Sequence, residues 1–475
     1  MVNQYRPSMT EVTTRPQQEN TAFEAGRRPS RAPRRATRPP RPRIANTLAW
    51  IAGLGLVLSF GLSFVGSSIS SYKLAGGWFT LAGRITGMTG TYTLIIMILL
   101  VTRLPWLEET VGQVRLVRWH RTVGGWPIAL IALHVVFITL GYAEASNVSF
   151  VSQFWAFLMH YPDVLAATVA FALMVTAGVT SIPAVRRTMK YQSWWAVHLY
   201  LYLAMVLAFA HEIKTGLMFI GHPLATDVWI AMSAAAVAAV LGVRIVRPLA
   251  RNLRHQLRIS TVREEAPGVY SIVIKGRNLS SFEVAGGQFF QWRFMARGLW
   301  WHSHPYSLSA MPRPPFIRVT IKQLGMQSLA ATRLKPGTRV FVEGPYGVFT
   351  RHARRGDRVV LIGAGVGISP IRALLEDLPT STKVTVILRA SSVEELVHRA
   401  EVTQLVHDRG GKLHEVVGSR KKAHLDGQLL RKLVGNLNNT DIYVCGPPGF
   451  SAGVTDNLLR LGARNERIHH EAFAF

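Results

Sequence analysis

From its N-terminus to about residue 247 the chain alternates long apolar stretches with short polar loops, and then changes to a shorter period. Six apolar segments lie at 44–66, 86–102, 120–141, 163–182, 193–212 and 226–246. Each is close to the ~20 residues a helix needs to cross the hydrocarbon core of a bilayer, so the pattern predicts a six-helix transmembrane bundle. Beyond it, alternating or apolar runs at 256–262, 269–275, 287–294, 316–322 and 338–343 are separated by turn residues such as Pro267-Gly268 and Lys335-Pro336-Gly337-Thr338. This is the pattern of a small antiparallel β-barrel. From Arg358 it becomes strand, glycine turn, helix: Val359-Val360-Leu361-Ile362, then Gly363-Ala364-Gly365-Val366-Gly367, then an apolar-periodic stretch to Leu378. With further strands at 384–388 and 441–445, a doubly wound α/β domain is predicted. The expected division is a tail at 1–43, a membrane domain at 44–247, a β-barrel at 253–352 and an α/β domain at 356–475.

Charge orients this arrangement. The formal net charge is +28, but its placement argues against nucleic acid, because no aromatic and basic residues interleave on a folded platform. Arginines instead crowd the N-terminal tail (Arg27, Arg28, Arg31, Arg34, Arg35, Arg38, Arg41, Arg43), the 103–118 loop (Arg103, Arg115, Arg118) and the 183–192 loop (Arg186, Arg187, Lys190). The loop from Tyr142 to Asp163 has no Lys or Arg. Six spans with both termini in the cytoplasm satisfy the positive-inside rule and leave only Lys73, Arg84 and Lys214 outside. A multi-pass cell-membrane protein is expected, its basic tail disordered and touching anionic lipid. No cleavable signal peptide is expected, since the first apolar run begins only near Ile44. The single cysteine, Cys445, excludes intramolecular disulfides and iron–sulfur clusters held by four cysteines.

Four histidines lie inside the apolar segments: His120 and His134, 14 residues apart on the third, and His198 and His211, 13 apart on the fifth. Ionisable groups within a bilayer are costly and usually mark function. At 1.5 Å per residue the pairs span about 21 Å and about 20 Å, so the levels match as an inner pair, His120–His198, and an outer pair, His134–His211. Such pairs can hold two b-type haem irons, one above the other. Rotation is less regular: 13 residues turn about 140° from the start, so the fifth helix bends or the two haem planes differ in azimuth. The alternative is neutral histidines bonded to carbonyls in a polar bundle. Bis-histidine ligation leaves no open iron position and suits outer-sphere electron transfer. Arg84, at the outer end of the second span, is a candidate partner for a haem propionate or an anionic acceptor, the alternative being a snorkelling interfacial arginine.

The sequence His304-Pro305-Tyr306-Ser307-Leu308-Ser309 follows a barrel strand. It resembles the R-x-Y-S/T flavin motif of the ferredoxin–NADP reductase superfamily, in the His-Pro-Phe/Tyr form typical of NADPH oxidases and ferric reductases. Together with the four histidines, residues 45–475 resemble a bacterial member of the NADPH oxidase / ferric reductase family. The resemblance implies that Tyr306 lies along an FAD, Ser307 bonds near flavin N5 and His304 supports the cofactor. A small hydroxyl beside N5 can assist hydride arrival without blocking it, and an aromatic face can pack on the planar ring. Gly286-Gly287-Gln288-Phe289 resembles the family's Pro-Gly-Gln-Phe segment. Lys322 and Gly325-Met326-Gln327-Ser328 sit where the family binds the flavin pyrophosphate. Because the motif's first Arg is absent, phosphate binding leans on Lys322 or Arg318.

Gly363, Gly365, Gly367, Ser369 and Pro370 lie in a turn resembling the family's G-x-G-x-G-I-S/T-P, which implies nicotinamide dinucleotide binding at a helix N-terminus. Cys445-Gly446-Pro447-Pro448 resembles the C-G-P-P segment near the nicotinamide; the thiol's alternative role is a small buried hydrophobe. Arg389 and Ser391 are candidates for a 2′-phosphate, favouring NADPH over NADH, although Arg389 can instead cap a helix. The terminal Glu471-Ala472-Phe473-Ala474-Phe475 resembles the Glu-x-Phe ending whose ring covers the flavin, and Phe473 is favoured over Phe475 as the lid.

The expected function is electron transfer from NADPH or NADH through FAD and two haems to a small-molecule acceptor outside, a ferric chelate or dioxygen. A relay feeding a partner protein or quinone is the alternative. Animal oxidases often carry a histidine one turn beyond the outer ligand, where this chain has Ile138. A third reading makes the histidines structural and the chain a membrane-anchored flavin reductase. No EF-hand loop is present in the sequence.

Overall fold

The computed structural model describes residues 42–161, 163–419 and 424–472, so the expected tail disorder and both candidate lid phenylalanines lie outside the described residues. The chain forms two compact units, a helical one that ends at Val246 and a second that begins at Arg247.

The helical unit contains α1 (Pro42–Leu62), α2 (Gly77–Val101), α3 (Gln113–Val123), α4 (Gly125–Ser146), α5 (Val164–Ser181), α6 (Tyr191–Thr215) and α7 (Pro223–Leu241). Among the described residues five helices are long and apolar enough to cross a membrane: α2, the stretch Arg115–Ser146 that includes α4, α5, α6 and the helix that starts at Pro223. The apolar part of α1, Asn46–Leu62, is shorter. The predicted second span starts at Gly77 rather than 86, because the small and hydroxylated residues of α2's first turns depress its hydropathy without interrupting the helix.

Those small residues govern the packing. A Cβ on Gly83 would collide with Ile138, one on Gly87 with the His134 imidazole, and one on Gly90 with Ile131. The three glycines repeat at i, i+4 and i+7, so they line one face of α2. Bilayer lipid is as apolar as a leucine side chain, so helices associate through close van der Waals packing and interhelical hydrogen bonds, and small residues allow it. Along this face α2 packs against α4.

The second unit begins with α8 (Arg247–His255), whose Asn252 bonds both ways to the backbone of Val342, at 2.8 and 2.9 Å. Strands β1 (Arg258–Ala266), β2 (Val269–Lys275), β3 (Phe289–Phe294), β4 (His304–Ser307), β5 (Phe316–Lys322) and β6 (Val340–Tyr346) form two three-stranded antiparallel sheets, β1-β2-β5 and β4-β3-β6. Isolated bridges Arg258↔Arg339 and Leu308↔Val319 join them. Their inward side chains, among them Ile272, Ile274, Phe290, Trp292, Phe294, Ile317 and Val319, form one buried cluster. The flavin-like motif forms the short strand β4 itself, where the sequence reading placed it after a strand; four residues are too few to show a period.

The remainder is a parallel sheet of β7 (Arg358–Ala364), β8 (Lys383–Ala390), β9 (Lys412–Val417), β10 (Thr440–Gly446) and β11 (Ile468–Ala472), in the order β11-β10-β7-β8-β9. It is accompanied by α9 (Ile368–Asp377), α10 (Arg399–His407) and α11 (Pro448–Arg460). The central strands are covered on both faces and read as continuous apolar runs. The two edge strands, Lys-Leu-His-Glu-Val-Val and Ile-His-His-Glu-Ala, are polar, and the sequence pattern did not reveal them.

A chain of buried charges ties the antiparallel strands to the parallel sheet. Arg318 of β5 bonds both oxygens of Glu401 on α10, at 2.7 and 2.8 Å. Arg372 of α9 bonds Glu401 at 2.7 Å and also bonds Glu376, which receives Arg313 at 2.7 Å. Removing one member of a buried pair leaves an uncompensated charge and costs about 3–5 kcal/mol. Glu401→Ala is therefore expected to lower the thermal unfolding temperature of the purified chain, while Glu415→Ala, whose ion pair with Arg399 is half-exposed, leaves it nearly unchanged. Equal effects would show that the buried network does not hold the module together.

Candidate functional site

The membrane unit brings His120 and His198 together. His120 lies in the last turn of α3, separated from α4 and His134 by Gly124, whereas His198 and His211 both lie on α6. The His120 and His198 ring centroids are 6.1 Å apart at 69°. Two metal–nitrogen bonds of about 2 Å, plus roughly 1 Å from each nitrogen to its ring centre, put two imidazoles on one metal ion about 6 Å apart. The pair therefore fits a single iron between the rings.

Hydrogen bonds hold the Nδ1 side of three of the four rings. His120 Nδ1 faces Met97 O at 3.1 Å, His134 Nδ1 faces Gly83 O at 2.8 Å, and His211 Nδ1 faces Thr215 Oγ1 at 2.9 Å. The carbonyl oxygens can only accept. The Thr215 hydroxyl donates to the His211 carbonyl at 2.7 Å and can accept at the same time. The two carbonyl bonds fix the Nδ1–H tautomer and leave Nε2 with its lone pair, the arrangement of metal-ligating histidines, and the Thr215 hydroxyl supports the same tautomer when its proton goes to the His211 carbonyl. His198 is held differently. Its Nδ1 is buried without a hydrogen-bond partner among the described residues, while its ring stacks on Trp194 at 5.0 Å, over which Arg186 sits at 4.8 Å. Arg84 is buried, with its guanidinium on Ser67 Oγ and Val65 O and its Nε unpartnered.

In the second unit β3 fixes the flavin-like motif. Phe290 pairs with Tyr306 and Trp292 with His304, and Trp292 Nε1 donates to Tyr306 O at 2.8 Å. The His304 and Tyr306 rings stack at 5.8 Å and 17°. Burial, and the His302 ring beside it, lower the His304 pKa, so the ring is neutral. Burial pushes the Tyr306 hydroxyl up to about 12. Ser307 Oγ, His304 Nε2, Ser369 Oγ and Glu471 Oε2 are buried with no hydrogen-bond partner among the described residues. Thr261 Oγ1, His302 Nδ1, His398 Nδ1 and Thr455 Oγ1 are unpartnered in the same way, so what sets Ser307, His304, Ser369 and Glu471 apart is their place in or beside the motif segments, where a polar ligand can pair them.

The glycine turn and the cysteine segment meet. A Cβ on Gly367 would strike the Cys445 carbonyl, and one on Gly446 would meet Phe450 and Ala364. Gly365 adopts φ +56°, a left-handed conformation that favours glycine. Gly363 and Cys445 are register partners across β7 and β10, and Pro447 precedes α11. Pro370 is buried in the first turn of α9. Cys445 also pairs in register with Glu471 of β11. Burial, then the neighbouring Glu471 charge, raises the Cys445 thiol well above its ordinary value, so it is a neutral thiol. Burial raises Glu471 to about 8. A Cβ on Gly347 would lie beside both the Phe289 ring and Glu471 Oε1. Since Phe289 is the register partner of Ser307, the Ser307 strand and the Glu471 strand border one region. The sequence reading quoted Glu471 only as part of the C-terminal motif, because nothing in its spacing shows that it faces Cys445.

Several candidates have other duties. Leu308 is core, and Ser309 Oγ accepts from Arg318 Nε at 3.1 Å. Arg318 is committed to Glu401, whereas Lys322, the other candidate cation, is exposed. Ser328 Oγ accepts from the backbone N–H groups of Leu324 (2.9 Å) and Gly325 (3.0 Å), capping the short helix Met326–Ala331. Gln288 braces its own loop, accepting from Ala285 N at 2.9 Å and donating to Gly347 O at 3.3 Å. Arg389 donates to the carbonyls of Ala390 and Ser419, and the Ser391 N–H donates to Glu395 at 3.1 Å.

Residues 86–209 match the family described as ferric reductase like transmembrane component, and residues 361–456 match the oxidoreductase NAD-binding domain. The chain is 32% identical over 193 residues to a flavohemoprotein of Bacillus subtilis (strain 168), covering 36% of this chain and 47% of that protein. It is 27% identical over 237 residues to an NADPH oxidoreductase of Mycobacterium tuberculosis (strain ATCC 25618 / H37Rv), covering 47% and 61%. Among solved structures, the flavohem-like FAD/NAD binding domain of nitric oxide dioxygenase from Vibrio cholerae O1 biovar El Tor is 25% identical, with a TM-score of 0.39, covering 46% of this chain and 98% of that one. The chain spans about half the length of the flavohemoproteins it matches.

Glu471 generates a pH dependence. Its folded pKa of about 8 lies above the carboxyl's ordinary 4.5, so its contribution to stability is complete below about pH 4.5 and is lost as pH rises to about 8. Relative to wild type, Glu471→Gln is expected to gain stability progressively across that window and to plateau above it, measured by denaturant unfolding of the purified chain. A difference that does not vary with pH would contradict the buried carboxyl. Cys445 is expected to resist alkylation in the native chain at pH 8 and to react on unfolding; rapid native alkylation would show an accessible thiolate.

Proposed function

We propose that this chain, an oxidoreductase joining a ferric reductase like membrane component to a ferredoxin reductase-type FAD/NAD module, transfers electrons from cytoplasmic NAD(P)H through FAD and two b-type haems to an extracytoplasmic ferric chelate or dioxygen. The observation that carries the reading is the His120–His198 pair, whose 6.1 Å separation fits one iron. The His134 and His211 rings, with Nδ1 held and Nε2 free, are the outer ligands in this reading. The finer architecture belongs to the same proposal: α1 completes six spans, the arginine-rich loops put both termini inside, and the two isolated bridges support closure of the antiparallel strands into a barrel. The regions at 44–247, 253–352 and 356–475 then serve haem, flavin and nicotinamide binding in turn.

When bound, the flavin would supply acceptance of one hydride, two electrons, and the haem irons single-electron transfer. The chain's own residues bind and orient. Ser307, whose hydroxyl is unpartnered, would be the hydroxyl nearest flavin N5, and the stacked His304 and Tyr306 rings would support the ring system. Lys322 and the amides around Gly325 receive the flavin pyrophosphate. The Gly363–Gly367 turn, Ser369 and Gly446-Pro447 would receive the dinucleotide, and Arg389 and Ser391 would reach a 2′-phosphate only by exchanging their bonds to Ala390, Ser419 and Glu395. Cys445 and Glu471 keep a neutral, water-poor surface near the nicotinamide. Phe473 is the candidate lid.

Ile138 favours a second reading. It stands one turn beyond His134 and packs over Gly83, filling space with apolar surface, which suits a relay to a partner protein or a quinone.

The deciding assay follows NADPH and NADH consumption by the purified chain in air, anaerobically with ferric citrate, and with neither. Fast turnover in air with superoxide formed supports the oxidase reading, fast turnover only with iron the ferric reductase, and slow turnover in all three the relay. His211→Leu is expected to keep flavin reduction by NAD(P)H and to lose electron delivery to the outer acceptor. Undiminished delivery would remove His211 from the pathway.

A further inference from the structure

We infer that Glu212 is the positioning residue for His211, holding α6 at the depth and rotation at which that ring can ligate the outer haem. The inference rests on the haem reading above and concerns a group with no role in it so far. A carboxylate inside a membrane-spanning helix is costly and is retained where it is partnered and used. Glu212 directly follows His211 on α6, and its two oxygens are divided between two other helices. Thr91 Oγ1 of α2 donates to Oε1 at 3.0 Å, and Trp229 Nε1 of α7 donates to Oε2 at 2.9 Å. Trp229 is fully buried, packed with Leu62, Met88, Tyr92, Met218 and Phe219, so its N–H is a fixed point. Glu212 thus latches the outer turn of α6 to both neighbours.

The α2 end of the latch is on the face that already positions His134. Gly83, Gly87 and Thr91 repeat at i, i+4 and i+8, one above another on the helix. Gly83 gives its carbonyl to His134 Nδ1, Gly87 has no side chain where the His134 ring packs, and Thr91 holds Glu212. A single row of α2 residues therefore sets the levels of His134 and His211 against a common reference. The other bonds of the α6 turn cannot do this. Thr215 supports the His211 tautomer but belongs to the same helix, and the Lys214–Asp163 pair is largely exposed, where ion pairs contribute little.

The test uses the purified full-length chain, with haem content per flavin, the reduced-minus-oxidised visible spectrum and low-temperature EPR as readouts. Removing a partner that orients a metal ligand costs ~10–100-fold in metal affinity. Glu212→Ala should lose the outer-haem EPR signal, with inner haem and flavin content retained. Glu212→Gln should restore it, because the amide oxygen accepts from Trp229 and the amide nitrogen donates to Thr91 Oγ1. Wild-type signals in Glu212→Ala overturn the inference, as does a Glu212→Gln as damaged as Glu212→Ala, which would make charge rather than position the cause. If Glu212→Ala loses both haems, Trp229→Phe decides: a shift confined to the outer-haem signal supports the latch, and no shift overturns it. A wild-type chain without haem overturns the haem reading and this inference together; a two-haem wild type with an indifferent Glu212 overturns the inference alone.

Discussion

The hydrogen bond from His134 Nδ1 to the Gly83 carbonyl is the constraint on which the membrane unit turns. In water an imidazole is free to choose its tautomer and to rotate. In a bilayer an unpartnered N–H is expensive, and backbone carbonyls within a helix are normally occupied by the helix itself. The carbonyl of Gly83 is within reach only because the glycine row of α2 lets α4 approach closely; a Cβ at Gly83 or Gly87 would push Ile138 and the ring itself away. The same close contact supplies the packing that holds two helices together where lipid offers no hydrophobic drive. Ligand orientation and helix association thus share one cause, and neither can be altered without the other.

The second unit meets a different requirement by a different route. Its strands and helices already satisfy their backbone, and the Arg318–Glu401–Arg372–Glu376 network fixes one layer on the other. Among its unpartnered buried atoms, those of Ser307, His304, Ser369 and Glu471 belong to the motif segments. Gly367 is a packing requirement as much as a binding one, since the turn must approach the Cys445 carbonyl more closely than any side chain permits. A glycine-rich turn that lacks the full dinucleotide spacing is weak as a pattern. It gains meaning from the strand end it touches.

What was legible in the sequence follows from range. Apolar length, loop charge, the four histidines and the short motifs are local, and the central strands appear where the pattern puts them; the helices do so in part, since the second starts at Gly77 and His120 lies on a helix of its own before Gly124. The misses are of three kinds. The edge strands β9 and β11 are too polar to show a period, and β4 is too short. Ser309 and Ser328 look like cofactor hydroxyls in the motif, yet the first is bonded to Arg318 and the second to the backbone of its own turn. The Glu401 network, the Glu212 latch and the Cys445–Glu471 pairing join residues far apart in the chain, and no spacing rule anticipates which distant carboxylate meets which donor. Arg318 shows the consequence: read alone it is a free cation for a phosphate, and in the fold it is buried against a carboxylate.

The ligand chemistry constrains the last electron-transfer step even though it does not name the acceptor. Two imidazoles on one haem iron would leave no site for a substrate to coordinate, so in the proposed reading an acceptor would take electrons at the edge of the outer haem and be selected by the protein surface there. The turn of α2 that gives its Gly83 carbonyl to His134 continues directly into Arg84. The Arg84 guanidinium is anchored by Ser67 and the Val65 carbonyl and keeps an unpartnered Nε. Those anchors are neutral, so they orient the cation without cancelling its charge. A buried positive charge attracts an anionic group more strongly than an exposed one, since less water screens it. In the proposed reading, the α2 turn that holds the outer ligand would therefore also set the local charge, which would favour a propionate or an anionic acceptor over a cationic one.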